Sequence, residues 1–359
     1  MNPTKRLHDL GQSLWLDNIT RDLLDSGTLA RYIADWSVTG LTSNPTIFNL
    51  AIKNSSSYDA AIEEGTRSGR AVEDLFFDLA LSDLTRAADL FRPIFERTCG
   101  VDGWVSLEVS PVLAYDSAST IRVAKELFAR AKRPNLFIKI PGTPQGLPAI
   151  EEAAFAGVPV NVTLLFSPEQ YAAAAEAHLR GLERRISAGL HPGVASVASL
   201  FISRWDAAVA GKVPADLHNR LGIAIGRAAY KVYRDLMATD RWQRVFNAGG
   251  RPQRLLLAST GTKDPKAPPG MYITALAAPN TVNTIPEATL RAFAEGGAAD
   301  GVMNPDDGAS LFAKFAAAGI DITALAAKLQ EDGAAAFVKS WAELLDVIAA
   351  KSGAIAVHQ

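Results

Sequence analysis

A short apolar run followed by an amphipathic stretch with helical spacing recurs along this chain of 359 residues, and this alternation limits the possible folds more than any other property. The runs are rich in Val, Ile, Leu and Phe, which is typical of parallel strands covered on both faces. They predict eight strands, at residues 13–18, 38–43, 104–109, 136–141, 158–166, 194–200, 254–260 and 271–276. Strands that alternate with helices indicate βαβ units, and eight of them in a chain of this length favour an α/β fold of the closed (β/α)8 type, the TIM barrel.

Several of the intervening stretches carry recognisable helix starts. Ser167, Pro168 and Glu169 predict a helix to about residue 187, because Ser caps the first turn, Pro fits its first position and Glu complements its partial positive charge. Two more starts are predicted at Thr143, leading into residues 149–155, and at Asp116 or Ser117, ahead of residues 121–131.

Additional helices are predicted around the barrel. Residues 71–97 predict one or two helices between the second and third strands, and residues 287–295, 306–318 and 321–348 predict helices that cover or cap the barrel. No segment rich in Gly, Ser or Pro divides the chain, so we predict a single domain over residues 1–359.

Charge and composition argue against several classes of protein. A formal net charge of -2 gives no basic surface for nucleic acid. No apolar run reaches the ~20 residues of a membrane span and the N-terminal residues lack the apolar core of a signal peptide, so we expect a cytoplasmic protein without a membrane partner. The single cysteine, Cys99, forms no intrachain disulfide, and the histidines lack the spacing of metal ligands. No zinc site is predicted, although a carboxylate-bound magnesium ion stays open.

Polar residues lie at the end of almost every predicted strand. Barrel enzymes carry their active sites at the C-terminal ends of strands, and one polar residue per strand at the same depth is hard to explain by core packing. These residues are Asp17, Asn18, Thr42, Ser43, Asn44, Ser106, Glu108, Lys139, Asn161, Thr163, Ser199, Arg204 and Ser259.

Lys139 is the most informative of them, because apolar residues flank it on both sides. A lysine in such surroundings loses hydration, which favours the neutral amine that attacks carbonyl groups. Such a nucleophile needs acid–base partners, and Glu108 and Asp17, acting through a water held by Thr163, are the candidates. The alternatives are a lysine whose head reaches solvent, and carboxylates that only form ion pairs with it.

Arg204, Ser259 and Lys263 form a second candidate group. Late barrel loops commonly bind phosphate, for which Arg and Lys supply charge and Ser supplies a neutral donor. Gly261 lets the backbone approach an anion closely. Basic residues in loops are usually only solvated, so this segment alone is a weak signal.

Three segments resemble those of the transaldolase family, in the family's order and with suitable separations. Residues 41–48 (LTSNPTIF) resemble its N-terminal signature, residues 137–147 (FIKIPGTPQGL) its active-site segment, and residues 161–167 (NVTLLFS) its fifth-strand segment. The similarity runs from about residue 10 to the last helix and so covers nearly the whole chain.

The resemblance implies an enzyme without a cofactor, built on a (β/α)8 barrel, that moves a dihydroxyacetone unit between sugar phosphates of the pentose phosphate pathway. The implied donor is sedoheptulose 7-phosphate or fructose 6-phosphate, and the implied acceptor is glyceraldehyde 3-phosphate or erythrose 4-phosphate. These small molecules are the only partners implied, and both a monomer and a dimer stay open.

The resemblance also implies roles for single residues. Lys139 forms the Schiff base, Glu108 and Asp17 transfer protons, and Thr163 positions the catalytic water. The substrate is held by the remaining residues: Asn44, Asn161 and Ser199 at its hydroxyl groups, and Arg204 and Ser259 at its phosphate. Many members carry an arginine two residues after the seventh-strand serine; this chain has Gly261 there, so Lys263 is the expected substitute.

Two other functions compete with this one. The related fructose-6-phosphate aldolase releases free dihydroxyacetone, but it is typically shorter and has glutamine and tyrosine where this chain has Glu108 and Phe201. A barrel that binds sugar phosphates without turnover is the second alternative. Such a protein needs the phosphate site but has no need of a buried amine beside a carboxylate.

Overall fold

The strands of this computed structural model lie side by side in one parallel sheet. The structure describes residues 2–299, 301–306 and 308–357. Eight strands lie within these ranges: β1 (Ser13–Asp17), β2 (Val38–Thr42), β3 (Val105–Glu108), β4 (Leu136–Pro141), β5 (Val160–Leu165), β6 (Ser196–Phe201), β7 (Gln253–Ala258) and β8 (Val282–Ile285). They lie in the order β2-β1-β8-β7-β6-β5-β4-β3, and each hydrogen-bonded pair is parallel.

The sheet curls until its two edge strands meet at Gly40. A parallel bridge joins Gly40 of β2 to Trp104, just ahead of β3, and the Leu41 N–H donates to the Trp104 carbonyl over 2.9 Å. A Cβ atom at position 40 would lie 2.6 Å from the Trp104 carbonyl oxygen and 2.7 Å from Nε1 of Trp15, so only glycine permits this approach. The barrel is nearly closed, and the predicted (β/α)8 fold is confirmed.

Aromatic side chains fill the barrel on the N-terminal side of the polar strand ends. The rings of Trp15 and Phe137 lie 6.1 Å apart, and Phe137 stacks on Trp104 at 4.0 Å. Because side chains alternate between the two faces of a strand, Trp15 and Phe137 share their faces with Asp17 and Lys139, two residues further on. The polar strand ends therefore stand on an apolar floor.

Sixteen α-helices lie within the described ranges, around and over the barrel. They are α1 (Pro3–Asp9), α2 (Arg21–Asp25), α3 (Thr28–Trp36), α4 (Pro45–Asn54), α5 (Asp59–Arg67), α6 (Val72–Arg97), α7 (Ser117–Ala131), α8 (Leu147–Ala156), α9 (Pro168–Ser187), α10 (Ser203–Val209), α11 (Leu221–Met237), α12 (Asp240–Asn247), α13 (Met271–Ala275), α14 (Glu287–Gly296), α15 (Ala309–Ala317) and α16 (Ile322–Val357). The segment predicted as one or two helices at 71–97 is the single helix α6. Residue 307, inside the helix predicted at 306–318, lies outside the described residues.

The helix starts follow their capping residues in two cases of three. Ser167 and Gln170 form a reciprocal capping box at the start of α9, and the Asp116 carboxylate accepts from the first turn of α7, as predicted. The start predicted at Thr143 is wrong, because α8 begins only after Gly146. The Thr143 hydroxyl accepts from the Gly146 N–H over 3.1 Å and so stabilises a turn ahead of the helix.

The eighth predicted strand, at 271–276, is also wrong. That apolar segment forms α13, in which Tyr272 and Ile273 are buried and the Tyr272 hydroxyl donates to Asp206 over 2.7 Å. The true strand, β8, carries two polar residues, Asn283 and Thr284, that are buried and hydrogen-bonded to side chains of neighbouring segments. Apolar content therefore identified the buried helix and missed the polar strand, since a short apolar run does not distinguish the two.

Helix α16 lies across the C-terminal mouth of the barrel. Its buried Gln330 donates from Nε2 to the carbonyls of Gly142, over 3.1 Å, and Leu164, over 2.8 Å. Further along α16, the Trp341 ring packs against Phe76 and Phe77 of α6, at 4.9 and 5.8 Å. The helix predicted at 321–348 thus covers the barrel and is longer than expected.

Hydropathy gives one result for the described part of the chain. No single helix there is long and apolar enough to cross a membrane. Helix α15 and residues 322–353, which are bent by 87° relative to each other, meet the length and composition of a membrane span only when they are taken together.

Candidate active site

Lys139 and Glu108 form a buried ion pair on adjacent strands. The register of β3 and β4 sets the two residues side by side, and Lys139 Nζ lies 3.1 Å from Glu108 Oε2. Lys139 Nζ also donates to the Ser43 carbonyl over 3.0 Å. Only 6% of the lysine side chain and 4% of the glutamate side chain are exposed, so the charges interact with little screening by water. The alternative of a lysine whose head reaches open solvent does not fit this geometry.

Asp17 completes a cluster of three ionisable groups. It ends β1, lines the same cavity as Lys139, and accepts a 2.7 Å hydrogen bond from the Thr42 hydroxyl. Burial raises the pKa of Asp17, although Lys139, Thr42 and Lys263 oppose the rise. Burial likewise raises the pKa of Glu108; Lys139 opposes that rise and the charge of Asp17 adds to it. We call Lys139, Glu108 and Asp17 the lysine–carboxylate cluster.

Glu108 Oε1 and Thr163 Oγ1 are buried oxygen atoms without a hydrogen-bond partner among the described residues. Thr163 lies next to an irregularity in β5, where the pairing with β6 shifts between Val162 and Leu165 and Leu164 takes a left-handed φ of 61°. Bulges of this kind re-aim side chains beside functional sites. Buried polar atoms normally bind a partner, so these two oxygens are suited to hold water or a ligand.

A hydrogen-bonded row of side chains crosses three strands behind the cluster. The Ser199 hydroxyl donates to Asn161 Oδ1 over 2.7 Å, and Asn161 Nδ2 donates to the Ser106 hydroxyl over 3.1 Å. All three residues are buried, which fixes the orientation of the Asn161 amide. Asn44 lies apart from this row, because it caps α4 and accepts from the Ile47 N–H over 3.0 Å.

The residues predicted to bind phosphate, Arg204, Ser259 and Lys263, line the same cavity as Lys139. Ser259 follows β7 with a left-handed φ of 56°, and its hydroxyl lies 2.9 Å from that of Ser203. The Arg204 guanidinium lies 5.5 Å from the centre of the Phe201 ring and has no hydrogen bond or ion pair to a described residue. Burial lowers its pKa. Lys263 is exposed, and its charge reaches Asp17.

One cavity of about 240 Å³ joins most of these residues. Eight of the ten predicted site residues line it: Asp17, Asn44, Lys139, Thr163, Ser199, Arg204, Ser259 and Lys263. The other two, Glu108 and Asn161, lie in the barrel wall and reach the cavity through Lys139 and Ser199.

Thr42, Thr284 and Phe337 also line this cavity, and none of them was predicted to be a site residue. Thr42 ends β2 and Thr284 lies on β8, the two strands that flank β1; their hydroxyls are 2.5 Å apart, and Phe337 reaches over from α16. Thr42 was visible as a strand-end polar residue, whereas Thr284 lies on the strand that the apolar pattern missed. The buried helical stripe that contains Phe337 indicates an amphipathic helix but does not reveal which strand ends it covers.

A larger cavity of about 480 Å³ lies beside the first and shares Lys263 with it. Its walls include Asp206 and Tyr272 but no member of the lysine–carboxylate cluster. The ionisable groups suited to catalysis therefore lie at the smaller of the two cavities. Within the described ranges no group of three or more His, Cys, Asp or Glu side chains is arranged to hold a metal ion.

Fold and site together define a (β/α)8 barrel with a buried amine, paired with carboxylates, at the C-terminal mouth. This arrangement suits nucleophilic attack by the amine on carbonyl compounds.

Comparison with known proteins narrows this class to a family. The sequence matches the model of the Transaldolase/Fructose-6-phosphate aldolase family over residues 14–348, and the chain belongs to this family. A transaldolase of Frankia alni is 42% identical over 98% of this chain and 98% of its own length. A transaldolase of Thermobifida fusca is 43% identical over 97% and 98%, and transaldolase 2 of Nostoc punctiforme is 41% identical over 82% of each chain.

Proposed function

We propose that this protein is a transaldolase, which transfers a dihydroxyacetone unit from sedoheptulose 7-phosphate or fructose 6-phosphate to glyceraldehyde 3-phosphate or erythrose 4-phosphate. The buried contact of 3.1 Å between Lys139 Nζ and Glu108 Oε2 carries the proposal. The relatives named transaldolase support it, since they match nearly the full length of the chain.

Lys139 is the nucleophile in this proposal. Its amine attacks the ketose carbonyl to give a carbinolamine, which loses water to form an iminium ion. Cleavage of the bond between C3 and C4 then releases an aldehyde and leaves a three-carbon enamine on the lysine. Attack of the enamine carbon on the acceptor aldehyde forms the new ketose, and water releases it from Lys139.

Glu108 and Asp17 carry the protons of these steps. Burial raises the pKa of both carboxyls toward neutral pH, and a group whose pKa lies near the working pH both accepts and donates a proton readily. A water molecule held between Glu108 Oε1 and Thr163 Oγ1, two buried oxygens without a partner among the described residues, transfers protons to and from the amine.

The remaining polar residues hold the substrate. Ser199 and Asn161 present a fixed row of donors and acceptors to the hydroxyl groups, and Asn44 meets them from α4. Arg204, Ser259 and Lys263 bind the phosphate, and Arg204 retains all its N–H groups for that purpose. We also propose that residues 1–359 form one domain and that the enzyme acts in the cytoplasm without a cofactor.

Trapping with borohydride tests the function directly. The protein is mixed with fructose 6-phosphate and sodium borohydride, and intact mass spectrometry with peptide mapping locates any adduct. We expect a reduced dihydroxyacetone adduct on Lys139, because the reagent reduces the iminium ion to a stable amine. K139A and K139R must give no adduct, since arginine stays protonated. A folded protein that binds the sugar but gives no adduct would be a binding protein, and the proposal would be wrong.

The dependence on an acceptor separates transaldolase from the aldolase alternative. A transaldolase consumes fructose 6-phosphate at a useful rate only when an acceptor aldehyde is present. Equal rates with and without erythrose 4-phosphate would favour the aldolase.

A further inference from the structure

We propose that Phe337 is a specificity-determining residue, which keeps water away from the enamine carbon on Lys139 and so favours transfer to an acceptor over release of free dihydroxyacetone. This inference rests on the proposed function. It concerns a residue of α16, outside the barrel strands.

The position of Phe337 brings an apolar ring over the reactive amine. The centre of the ring lies 5.9 Å from Lys139 Nζ, and only 4% of the residue is exposed. On its other side Phe337 meets Phe201 at 6.5 Å, and Phe201 stacks on Phe166 at 5.3 Å. Phe337 and Phe201 both line the cavity and Phe166 lies behind Phe201, so one wall of the cavity is aromatic.

Contacts on both sides of Phe337 fix its position. Two turns earlier, Gln330 holds α16 to carbonyls at the ends of β4 and β5, and Trp341, one turn later, packs against α6. Between Phe337 and Trp341, Ser340 accepts a 2.8 Å hydrogen bond from Thr46 of α4. The ring is therefore a fixed cover over the amine.

The chemistry explains why such a cover matters. After cleavage, loss of the three-carbon unit requires a proton on the enamine carbon, which restores the iminium ion. Water then adds to the iminium carbon, and the carbon–nitrogen bond breaks to give dihydroxyacetone and the free amine. Transfer uses the same enamine carbon to attack an aldehyde. Glu108 and Thr163, the polar groups proposed for the proton shuttle, lie in the barrel wall, whereas Phe337 is the only described residue of α16 that lines the cavity. Excluding further water from that side slows protonation of carbon and leaves time for the acceptor.

The test compares two rates in the full-length enzyme: release of free dihydroxyacetone from fructose 6-phosphate alone, and transfer to erythrose 4-phosphate. We expect F337A to raise the ratio of release to transfer by about tenfold or more, because it opens the cavity to water. F337L, which fills most of the space, is expected to stay within about threefold of the native ratio. V338A, at the exposed neighbouring position, is expected to leave the ratio unchanged.

Several results would overturn the inference. If folded F337A has the native ratio of release to transfer, the ring has no such role. If F337L and F337A raise the ratio equally, water exclusion by the ring is not the cause. If V338A also raises the ratio, the effect comes from general loosening of α16. If F337A does not fold, F337V carries the same comparison with a smaller void. Borohydride trapping accompanies each assay: without an adduct in the native enzyme the proposed function fails, whereas an adduct with an unchanged ratio contradicts the role of Phe337 alone.

Discussion

Lys139, Glu108 and Asp17 share one buried space, where burial raises the pKa of both carboxyls and the charge of Lys139 opposes the rise. Two carboxylates face one ammonium group, so the cluster carries an excess of negative charge when both are ionised. Burial makes that charge unfavourable, which is why the pKa of each carboxyl lies above its ordinary value despite the lysine. The native protein therefore holds these groups at the expense of stability, as functional sites commonly do.

Because burial of the ionised Asp17 carboxylate lowers stability, we expect D17N to stabilise the protein and to impair turnover. A carboxyl whose pKa is raised on folding keeps its proton to higher pH than in the unfolded chain. Stability therefore falls as pH rises from the ordinary value of 3.8 through the raised value. We expect D17N to raise Tm by about 1–3 °C at pH 7, with a gain that shrinks as the pH approaches 4. Activity is expected to fall by roughly 10²–10⁴-fold.

Thermal unfolding across this pH range checks the prediction. D35N removes a carboxylate from an exposed position and is the matched control, with no expected change in Tm. A D17N variant that is less stable than the native protein at pH 7 would mean that attraction by the lysines outweighs burial.

Lys263 and Lys266 offer a test of phosphate binding on a single loop. Both are exposed, but only Lys263 lines the cavity of the lysine–carboxylate cluster, whereas both line the larger neighbouring cavity. We expect K263A to raise KM for phosphorylated acceptors by about fivefold and to spare glyceraldehyde, because an exposed charged contact contributes about 1 kcal/mol. K266A is expected to behave like the native enzyme. If K263A weakens both kinds of acceptor equally, Lys263 acts elsewhere than at the phosphate.

Helices and strands were predictable where local chemistry and burial agreed. Seven strands coincide with runs rich in apolar residues, and Ser167 and Asp116 cap the helices that they were expected to cap. Prediction failed where long-range contacts decided the outcome. The segment 271–276 is helical because Tyr272 reaches Asp206, a contact between positions 66 residues apart in sequence. Asn283 and Thr284 lie in a strand although they are polar, because Thr260 and Thr42 on other segments hydrogen-bond to Asn283 Oδ1 and to the Thr284 hydroxyl.

The site was predictable for a related reason, namely the alternation of side chains along strands. Once the strands are parallel, residues at the same depth meet at one mouth, and this brought Lys139, Asp17 and Ser199 to a common cavity. Phe337 escaped prediction because its place depends on the path of α16 over the barrel. The Gln330 contacts that fix this path join residues more than 160 positions apart.

Closure of the whole barrel depends on Gly40, which has no side chain. We expect G40A to destabilise the protein by about 1–3 kcal/mol, because its methyl group would overlap the Trp104 carbonyl and the Trp15 ring. Unfolding in urea measures the change. G296A is the matched control, since a Cβ atom there meets nothing within 4 Å and the position ends α14; it is expected to be neutral or slightly stabilising. If G40A is as stable as the native protein, the contact between Gly40 and Trp104 has space for a methyl group.

The position of α16 in the chain also orders events during synthesis. The last barrel strand ends at Ile285, and Phe337 is added 52 residues later. At ribosomal rates of roughly 5–20 residues per second, a growing chain spends about 3–10 s with every strand made and its mouth uncovered. During that interval the apolar rings of Phe76 and Phe77 lack Trp341 and offer a binding surface to chaperones. A nascent barrel thus contains Lys139, the proposed nucleophile, before it contains Phe337, the residue proposed to shield it from water.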